Sequence, residues 1–198
     1  MRKDLLSVLE WAQRYFLFLL QDHPVGQPAR EYLEKRGLNP SVAKQYGLGF
    51  APDNWDTLTT YLMQKKKFPA DVLIAAGLAL AGKSGRPYDR FRGRIIFPLH
   101  DHRGRVVGFS GRILDTEAKE AKYINTPETN LYHKRNLLYG YWQNLNFIRE
   151  SESVIVTEGE FDVLSSVQVH VQNIVAVKGS ALTEEQVRTL ARTVQTIY

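Results

Sequence analysis

The stretch from Val154 to Val163 constrains the fold of this chain more than any other part of the sequence. It reads VIVTEGEFDV, so a run of β-branched apolar residues leads into an acidic turn that contains glycine. Such a run predicts a strand that is buried on both faces, as in parallel sheets. The residues from Phe161 to about His170 have helical spacing, and residues 173–178 predict a second buried strand. We therefore expect a right-handed strand–helix–strand unit.

Two acidic side chains lie where the first strand meets the helix. Glu158 comes at the carboxyl end of the strand, which is the edge where open α/β sheets bind their ligands. Gly159 permits a sharp turn there, and Asp162 follows about one helical turn later, where it can face the same space. Acidic residues are also favoured at helix N-termini by the helix dipole. The spacing alone leaves both interpretations open, a ligand site and a simple helix start.

The composition is that of an ordinary globular chain. Its 198 residues are 43% hydrophobic and 24% charged, enough for one good-sized core or two small ones. The chain has no cysteine, which excludes disulfides and cysteine-based zinc sites. Its first residues are charged rather than signal-like, and no apolar run approaches the ~18 residues of a membrane span. The sequence thus predicts a cytoplasmic protein without a membrane partner.

Positive charge is concentrated in one part of the chain. The formal net charge is +5, and residues 83–112 contain eight Lys or Arg against two acids. The rest of the chain is therefore close to neutral. A compact basic tract of this kind favours a polyanion such as nucleic acid as a partner. A solvated basic loop is the alternative.

The first half of the sequence predicts a helical region followed by a hairpin. Helices are expected over Leu5–Leu20, from Pro28 to Gly37, from Asn39 to about Gly47, from a cap at Asp53 to about Lys66, and over Pro69–Ala76. Residues 49–52 are expected to be a connector. Residues 94–99 and 105–110 are strand-like runs joined by a polar turn, which predicts an antiparallel hairpin. Pro98 implies an edge strand or a bulge.

The second half predicts the remaining elements of an α/β fold. Residues 122–129 predict an extended polar segment, and a helix is expected from about Tyr141 to Arg149. Thr183 and Gln186 occupy the positions of a capping box at the start of a last helix. Residues 194–198 predict the start of a third parallel strand.

Six blocks of sequence, in order, resemble the RNA-polymerase core of bacterial DnaG-type primases. They are YLEKRGL (32–38), GLGFAPDNWD (47–56), the run from Tyr88 to Arg112, KYINTPET (122–129), LYHKRNLLYG (131–140) and TEGEFDV (157–163). The EGxxD pattern by itself is a weak signal, whereas six blocks in the right order are a strong one.

This resemblance implies two subdomains and a metal site. Residues 1–150 would form an α+β subdomain that binds single-stranded DNA template and RNA–DNA hybrid, and residues 151–198 the first part of a Toprim α/β subdomain with parallel strands. Glu158 matches the lead Toprim carboxylate and Asp162 its partner, so both are expected to be catalytic and to hold Mg²⁺ or Mn²⁺. Zinc is not expected in this chain. Ribonucleoside triphosphates are the implied substrates, and a replicative helicase the implied partner of a region absent here.

The resemblance also implies a basic and polar surface for template and nucleotide. Arg and Lys neutralise phosphates without reading sequence, while Tyr and Asn stack on bases or hydrogen-bond to them. Alternatively, the alternating Arg92 and Arg94 merely flank a strand. The expected positions are Arg36, Arg90, Arg92, Arg94, Arg112, Lys122, Tyr123, Asn125 and Lys134.

The sequence departs from the family pattern at three points. Glu160-Phe161 stands where the family usually has Tyr and a small apolar residue, so a third carboxylate would either join the metal site or face solvent. Lys178 replaces a more usual apolar or small residue. The family's second acidic cluster is expected just past Tyr198, so the sequence predicts a core fragment with an incomplete metal site and negligible primer synthesis of its own.

Two other functional classes remain in view. One is a different Toprim enzyme, a nuclease or a topoisomerase, against which the blocks before Glu158 argue. The other is a non-catalytic protein that binds single-stranded DNA and uses the Toprim half only as a scaffold. Unchanged activity of the parent protein after Glu158→Gln would favour this second class.

Overall fold

Helices and strands alternate along the chain, first around an antiparallel sheet and then around a largely parallel one. The computed structural model describes residues 2–83, 85–115, 117, 119–179 and 181–198. The helices are α1 (Arg2–Gln21), α2 (Gln27–Lys35), α3 (Pro40–Gln45), α4 (Thr57–Thr60), α5 (Ala70–Ala75), α6 (Tyr141–Glu150), α7 (Glu160–Val167) and α8 (Glu184–Ala191). The strands are β1 (Gly49–Ala51), β2 (Ala79–Ala81), β3 (Pro87–Asp89), β4 (Arg94–His100), β5 (Val106–Ile113), β6 (Tyr123–Asn125), β7 (Leu138–Tyr139), β8 (Ser153–Thr157), β9 (Ile174–Val177) and β10 (Thr196–Ile197). Short 3₁₀ turns cover Pro24–Gly26 and Lys134–Asn136, and a π-helix covers Tyr61–Lys65.

The first sheet has the order β1-β4-β5-β6, with antiparallel pairs throughout. Helix α1 covers one face of it, because its apolar residues recur at helical spacing and form one buried stripe. Phe16 of this stripe meets Phe109 of β5 edge to face, with ring centroids 5.5 Å apart. Gly49 permits the close approach of β1, since a Cβ there would lie 2.5 Å from the Phe16 Cβ.

The hairpin prediction is confirmed, and Pro98 lies in its first strand. The pairing of β4 with β1 covers residues 94–96, so Pro98 lies beyond it. The register between β4 and β5 shifts between Leu99 and His100. The expected bulge is therefore present next to the proline.

Two predictions for the first half are wrong. Residues 49–51 form a strand rather than a connector, because pairing with β4 stabilises a segment too short to show any periodicity. Helix α4 begins at Thr57 and Asp53 does not cap it. Its first amides are bound instead by the carboxylate of Asp89, more than 30 residues later in the chain.

The second sheet has the order β10-β8-β9-β7. β8 pairs in parallel with both β9 and β10, which confirms the strand–helix–strand unit and the third parallel strand. β9 is buried along its whole length, as predicted. The prediction that β8 is buried on both faces is wrong, because only Val154 is fully buried and its neighbour β10 is a two-residue exposed strand. β7 joins this sheet in antiparallel orientation, so residues before 150 also belong to it, and the predicted division at residue 150 stays a prediction.

The two sheets share one apolar core. Val163, Leu164 and Val167 of α7 pack in the same cluster as Leu33 of α2 and Phe97 of β4. No helix in the described part of the chain combines the length and the apolar character needed to cross a membrane.

Asp89 links three parts of the first half through both its side chain and its main chain. Its carboxylate accepts hydrogen bonds from the amides of Leu58 (2.7 Å) and Thr59 (2.8 Å) at the start of α4. Its own amide donates to the carbonyl of Trp55 (2.7 Å), and its carbonyl accepts from Arg92 Nη1 (2.8 Å). Burial raises the pKa of Asp89 to about 6, since the cost of removing the charge from water outweighs the two amide bonds.

We expect Asp89 to make the stability of the chain depend on pH. Its folded-state pKa of about 6 lies above the ordinary value of 3.8, so its stabilising contribution is present below the unfolded pKa and lost as the pH rises through 6. Between about pH 4 and pH 7, the free energy of unfolding should fall by roughly 2–3 kcal/mol relative to Asp89→Asn. Urea unfolding followed by circular dichroism measures both curves. Asp53→Asn, at an exposed carboxylate, is the control, and parallel curves for wild type and Asp89→Asn would contradict the assignment.

Candidate metal and nucleic-acid site

The carboxyl edge of the second sheet presents two exposed carboxylates. Glu158 follows the last residue of β8, and Asp162 lies in the first turn of α7. Asp162 Oδ2 accepts the Gly159 amide at 3.1 Å, so this residue caps the helix while its other oxygen stays available. Glu158 has no hydrogen-bond partner within the described residues. Both interpretations of the acidic turn, capping and ligand binding, are therefore compatible with its geometry.

These carboxylates fit part of a site for a hard divalent cation. Carboxylate oxygens are the donors that Mg²⁺ and Mn²⁺ prefer. Within the described residues, no group of three or more His, Asp or Glu side chains is arranged to hold a metal ion. Glu158 and Asp162 thus supply some of the ligands that such an ion needs.

Glu160 neither joins this edge nor faces solvent, so both interpretations of the third carboxylate are wrong. Its side chain is buried, only 5% exposed, and forms an ion pair with the ammonium of Lys178, which is equally buried. Glu160 is paired because Lys178 directly follows β9 and lies beside Glu160, the first residue of α7. Glu160 and Lys178, two of the residues at which the sequence departs from the family pattern, thus contact each other.

An arginine–aromatic cluster lies beside the acidic turn. It consists of Tyr32, Arg36, Arg112, Tyr123 and Phe161. The Arg112 guanidinium donates to the hydroxyls of Tyr32 and Tyr123, the latter at 2.7 Å, and lies 5.2 Å from the centroid of Phe161. The Arg36 guanidinium lies 5.1 Å from the same ring and is exposed. Arg112, by contrast, is only 6% exposed. Neither guanidinium has a carboxylate partner among the described residues, so no ion pair cancels the positive charge of the cluster.

A second exposed surface lies on the first half of the chain. The Arg92 guanidinium lies 4.2 Å from the centroid of Trp55, whose side chain is 66% exposed. Tyr88 meets the Trp55 ring edge to face, with centroids 5.6 Å apart. We call Trp55, Tyr88 and Arg92 the stacking platform, because an exposed indole beside a guanidinium suits a nucleobase above a phosphate.

The other predicted binding residues lie near these two surfaces. Arg90 donates through Nε (3.1 Å) and Nη2 (2.9 Å) to the main-chain carbonyl of Asn125. Lys122 is exposed at the residue before β6. Lys134 is also exposed, and its side chain passes close to Gly179 at the end of β9, beside the carboxyl edge. The roles of all four in nucleic-acid binding stay predictions.

Arg94 is placed differently, since it is buried with only 2% of its surface exposed. Its Nη1 donates to the carbonyl of Ala121 at 2.9 Å, and its Nη2 contacts Glu120 Oε2 at 2.9 Å. This guanidinium ties β4 to the segment before β6. Its burial does not support the predicted contact with DNA, which stays a prediction.

Sequence reasoning missed Trp55 and the pairing of Glu160 with Lys178. Spacing does not distinguish an exposed Trp from a core Trp, and Trp55 lies in an irregular segment without periodicity. A lysine directly after a buried strand was a usable signal, because a buried ammonium needs a carboxylate partner.

Family models match most of the chain. The model described as "DNA primase catalytic core, N-terminal domain" matches residues 15–145, and the model described as "Toprim-like" matches residues 155–198. Among curated proteins, the DNA primase of Pseudomonas putida is 39% identical over 98% of this chain and 29% of its own length. The DNA primase of Synechococcus elongatus is 41% identical over 96% of this chain and 27% of its own length.

Solved structures agree with these matches. A DnaG primase catalytic domain bound to single-stranded DNA has a TM-score of 0.88 and 35% identity, over 99% of this chain and 60% of that one. The RNA polymerase domain of Mycobacterium tuberculosis primase DnaG in complex with double-stranded DNA has a TM-score of 0.92 and 36% identity, over 100% and 64%. The chain spans less than a third of the length of the curated relatives. With an α+β half and a parallel Toprim half in this order, the chain belongs to the DNA primase catalytic-core family.

Proposed function

We propose that this chain is the part of a DNA primase catalytic core that holds the single-stranded DNA template beside the site of RNA primer synthesis. One observation carries the proposal. The exposed carboxylates Glu158 and Asp162 flank Phe161 in the sequence, and the guanidiniums of Arg36 and Arg112 lie 5.1 and 5.2 Å from the centroid of the Phe161 ring. Carboxylates for a cation beside arginines for phosphates are what nucleotidyl transfer requires.

In this proposal, each surface has its own task. The exposed Arg36 guanidinium neutralises phosphates of the nucleotide or of the RNA–DNA hybrid, since no carboxylate within the described residues competes for it. The Arg112 guanidinium, which is only 6% exposed, adds its positive charge to the same cluster. Arg112 is held in place by its two tyrosine hydroxyls and so keeps its orientation. A bound Mg²⁺ or Mn²⁺ at Glu158 and Asp162 would stabilise the negative charge that develops on the transferred phosphoryl group.

The stacking platform is proposed to hold the template strand. Trp55 offers a face on which a base can stack. The Arg92 guanidinium lies over the Trp55 ring, so Trp55 contacts the base and Arg92 a phosphate. A similar catalytic domain has been solved bound to single-stranded DNA, which supports this assignment. Phosphate contacts of this kind do not read sequence, so template choice would depend on other features.

The proposal extends to partners and location. Ribonucleoside triphosphates are the proposed substrates, and a replicative helicase is the proposed partner of a region other than the one described. A protein with these partners acts in the bacterial cytoplasm at the replication machinery.

We expect the chain to bind single-stranded DNA through the stacking platform. Trp55→Ala should weaken binding by about 1–3 kcal/mol per stacked base, because the indole face is lost. Arg92→Ala should weaken binding and lower the slope of log K against log[salt] by about 1, because one phosphate contact is lost. Fluorescence anisotropy of labelled single-stranded DNA across a salt series measures both effects.

Arg149→Ala is the matched control for this experiment. Arg149 is exposed in the last turn of α6, so the variant removes the same charge from another surface. Equal losses for Arg92→Ala and Arg149→Ala would show a diffuse charge effect and contradict the platform. Circular dichroism confirms that each variant is folded before titration.

Primer synthesis is expected to require Glu158. The test is a chimaera in which this chain replaces the matching segment of the Pseudomonas putida primase, to which it is 39% identical. We expect the chimaera to incorporate labelled ribonucleotides on single-stranded DNA with Mg²⁺, and Glu158→Gln to reduce this by about 100-fold or more. The chain by itself is expected to synthesise no detectable primer.

Glu150→Gln in the same chimaera is the control, since Glu150 is exposed at the end of α6. An active chimaera that tolerates Glu158→Gln would favour a non-catalytic DNA-binding role for this chain. Degradation of labelled DNA in place of primer synthesis would favour a Toprim nuclease.

A further inference from the structure

The buried ion pair between Glu160 and Lys178 lies directly beneath the proposed metal edge. Glu160 is the first residue of α7, and Lys178 follows β9, so the pair connects the ends of two neighbouring parallel strands. Both side chains are only 5% exposed. A charge removed from water to this degree depends on its partner, because either one left unpaired is strongly destabilising.

Two buried tyrosines from the segment that precedes α6 lie near Glu160. The hydroxyls of Tyr132 and Tyr139 have no hydrogen-bond partner within the described residues. Burial is the main reason why the pKa of each hydroxyl is raised. The negative charge of Glu160 raises both pKa values further, and that of Glu128 also raises the pKa of Tyr132. Neither hydroxyl bonds to Glu160, so Lys178 is the only side chain among the described residues that holds this carboxylate.

The first turn of α7 is therefore fixed from two sides. Phe161 packs edge-on against Phe97, with centroids 5.4 Å apart, and lies under the Arg36 and Arg112 guanidiniums. Glu160 is held from the other side by Lys178. Gly159 and Asp162, which flank Glu160 and Phe161 in the sequence, are joined by a hydrogen bond of 3.1 Å from the Gly159 amide to the Asp162 carboxylate.

We propose that Glu160 and Lys178 are positioning residues that hold the acidic turn, and with it the Glu158 and Asp162 carboxylates, in the geometry for metal binding. The claim about metal binding rests on the proposed function, whereas the claim that the pair holds the acidic turn does not. A single substitution loosens the turn, whereas replacing both with uncharged residues that pack restores it.

The amide of Gly159 reports directly on this turn, because its hydrogen bond to Asp162 exists only while the turn is formed. In Glu160→Gln and in Lys178→Met, we expect its hydrogen exchange to accelerate by about tenfold. In the double variant Glu160→Tyr with Lys178→Leu, the exchange rate should return to within about twofold of wild type. Two-dimensional NMR on the ¹⁵N-labelled chain measures these rates.

The amide of Ser41 is the internal control, since it is bound in a similar way by the side chain of Asn39, at 2.9 Å, on another helix. Acceleration at Gly159 but not at Ser41 supports a local effect at the turn. Equal acceleration at both amides, or none at Gly159, overturns the proposal, as does a double variant no better than the singles. If a single variant does not fold, Glu160→Asp keeps the charge, shortens the side chain and gives the same test.

Mn²⁺ binding, followed by electron paramagnetic resonance, separates this proposal from the proposed function. Each single variant should bind Mn²⁺ about tenfold more weakly than wild type, and the double variant should recover. Because Glu158 and Asp162 supply only some of the ligands, Mn²⁺ binding is measured in the Pseudomonas putida chimaera. Absence of Mn²⁺ binding by the chimaera with wild-type Glu160 and Lys178 would contradict the metal site, whereas the exchange rates at Gly159 decide the positioning role on their own.

Discussion

The packing of α7 against the first sheet is the interaction on which the site depends. Val163, Leu164 and Val167 are buried in the core that the two sheets share. Each buried side chain of this size contributes about 1.5–3 kcal/mol, whereas a helix dipole gives an acidic residue only about 0.3–1 kcal/mol. Apolar packing therefore decides where the acidic turn lies, and electrostatics only adjusts it.

The same packing explains why side chains of one chemical type have different surroundings. Arg94 at the start of β4 points into the interior and bonds to main-chain carbonyls, while Arg92 two residues earlier lies over an exposed indole. Arg112 is also buried, but its partners are tyrosine hydroxyls, so its charge is not cancelled. Positive charge stays uncancelled only where no carboxylate partner lies within reach, and the binding surfaces proposed above consist of such charges.

The sequence predicted the fold well wherever the signal was local and periodic. The strand–helix–strand unit from Val154 onward, the hairpin around residues 101–104 and the capping box at Thr183 are all present. Failures occurred where the stabilising partner is distant, as in the pairing of residues 49–51 with β4 and the capping of α4 by Asp89. A cap supplied across 31 residues leaves no trace in local spacing.

The candidate site was predictable in its parts but not in its arrangement. Residue type and family pattern made Glu158, Asp162 and the arginines candidates, and their roles stay predictions. The burial of Glu160 had Lys178 as its one signal in the sequence, because a carboxylate next to an acidic turn is ordinarily solvated and only the position of Lys178 makes burial tolerable. Exposure of Trp55 likewise depends on where its irregular segment lies on the folded surface.

Asn144 of α6 has a consequence for the motions of the whole chain. Its amide oxygen accepts from the Tyr46 hydroxyl, and its amide nitrogen donates to the carbonyl of Ile174 at 2.7 Å, all within the shared core. Separating the sheets would leave these polar groups without partners in an apolar space, at about 1–3 kcal/mol for each group. Asn144 thus adds a polar cost to the apolar cost of any fluctuation that separates the two sheets.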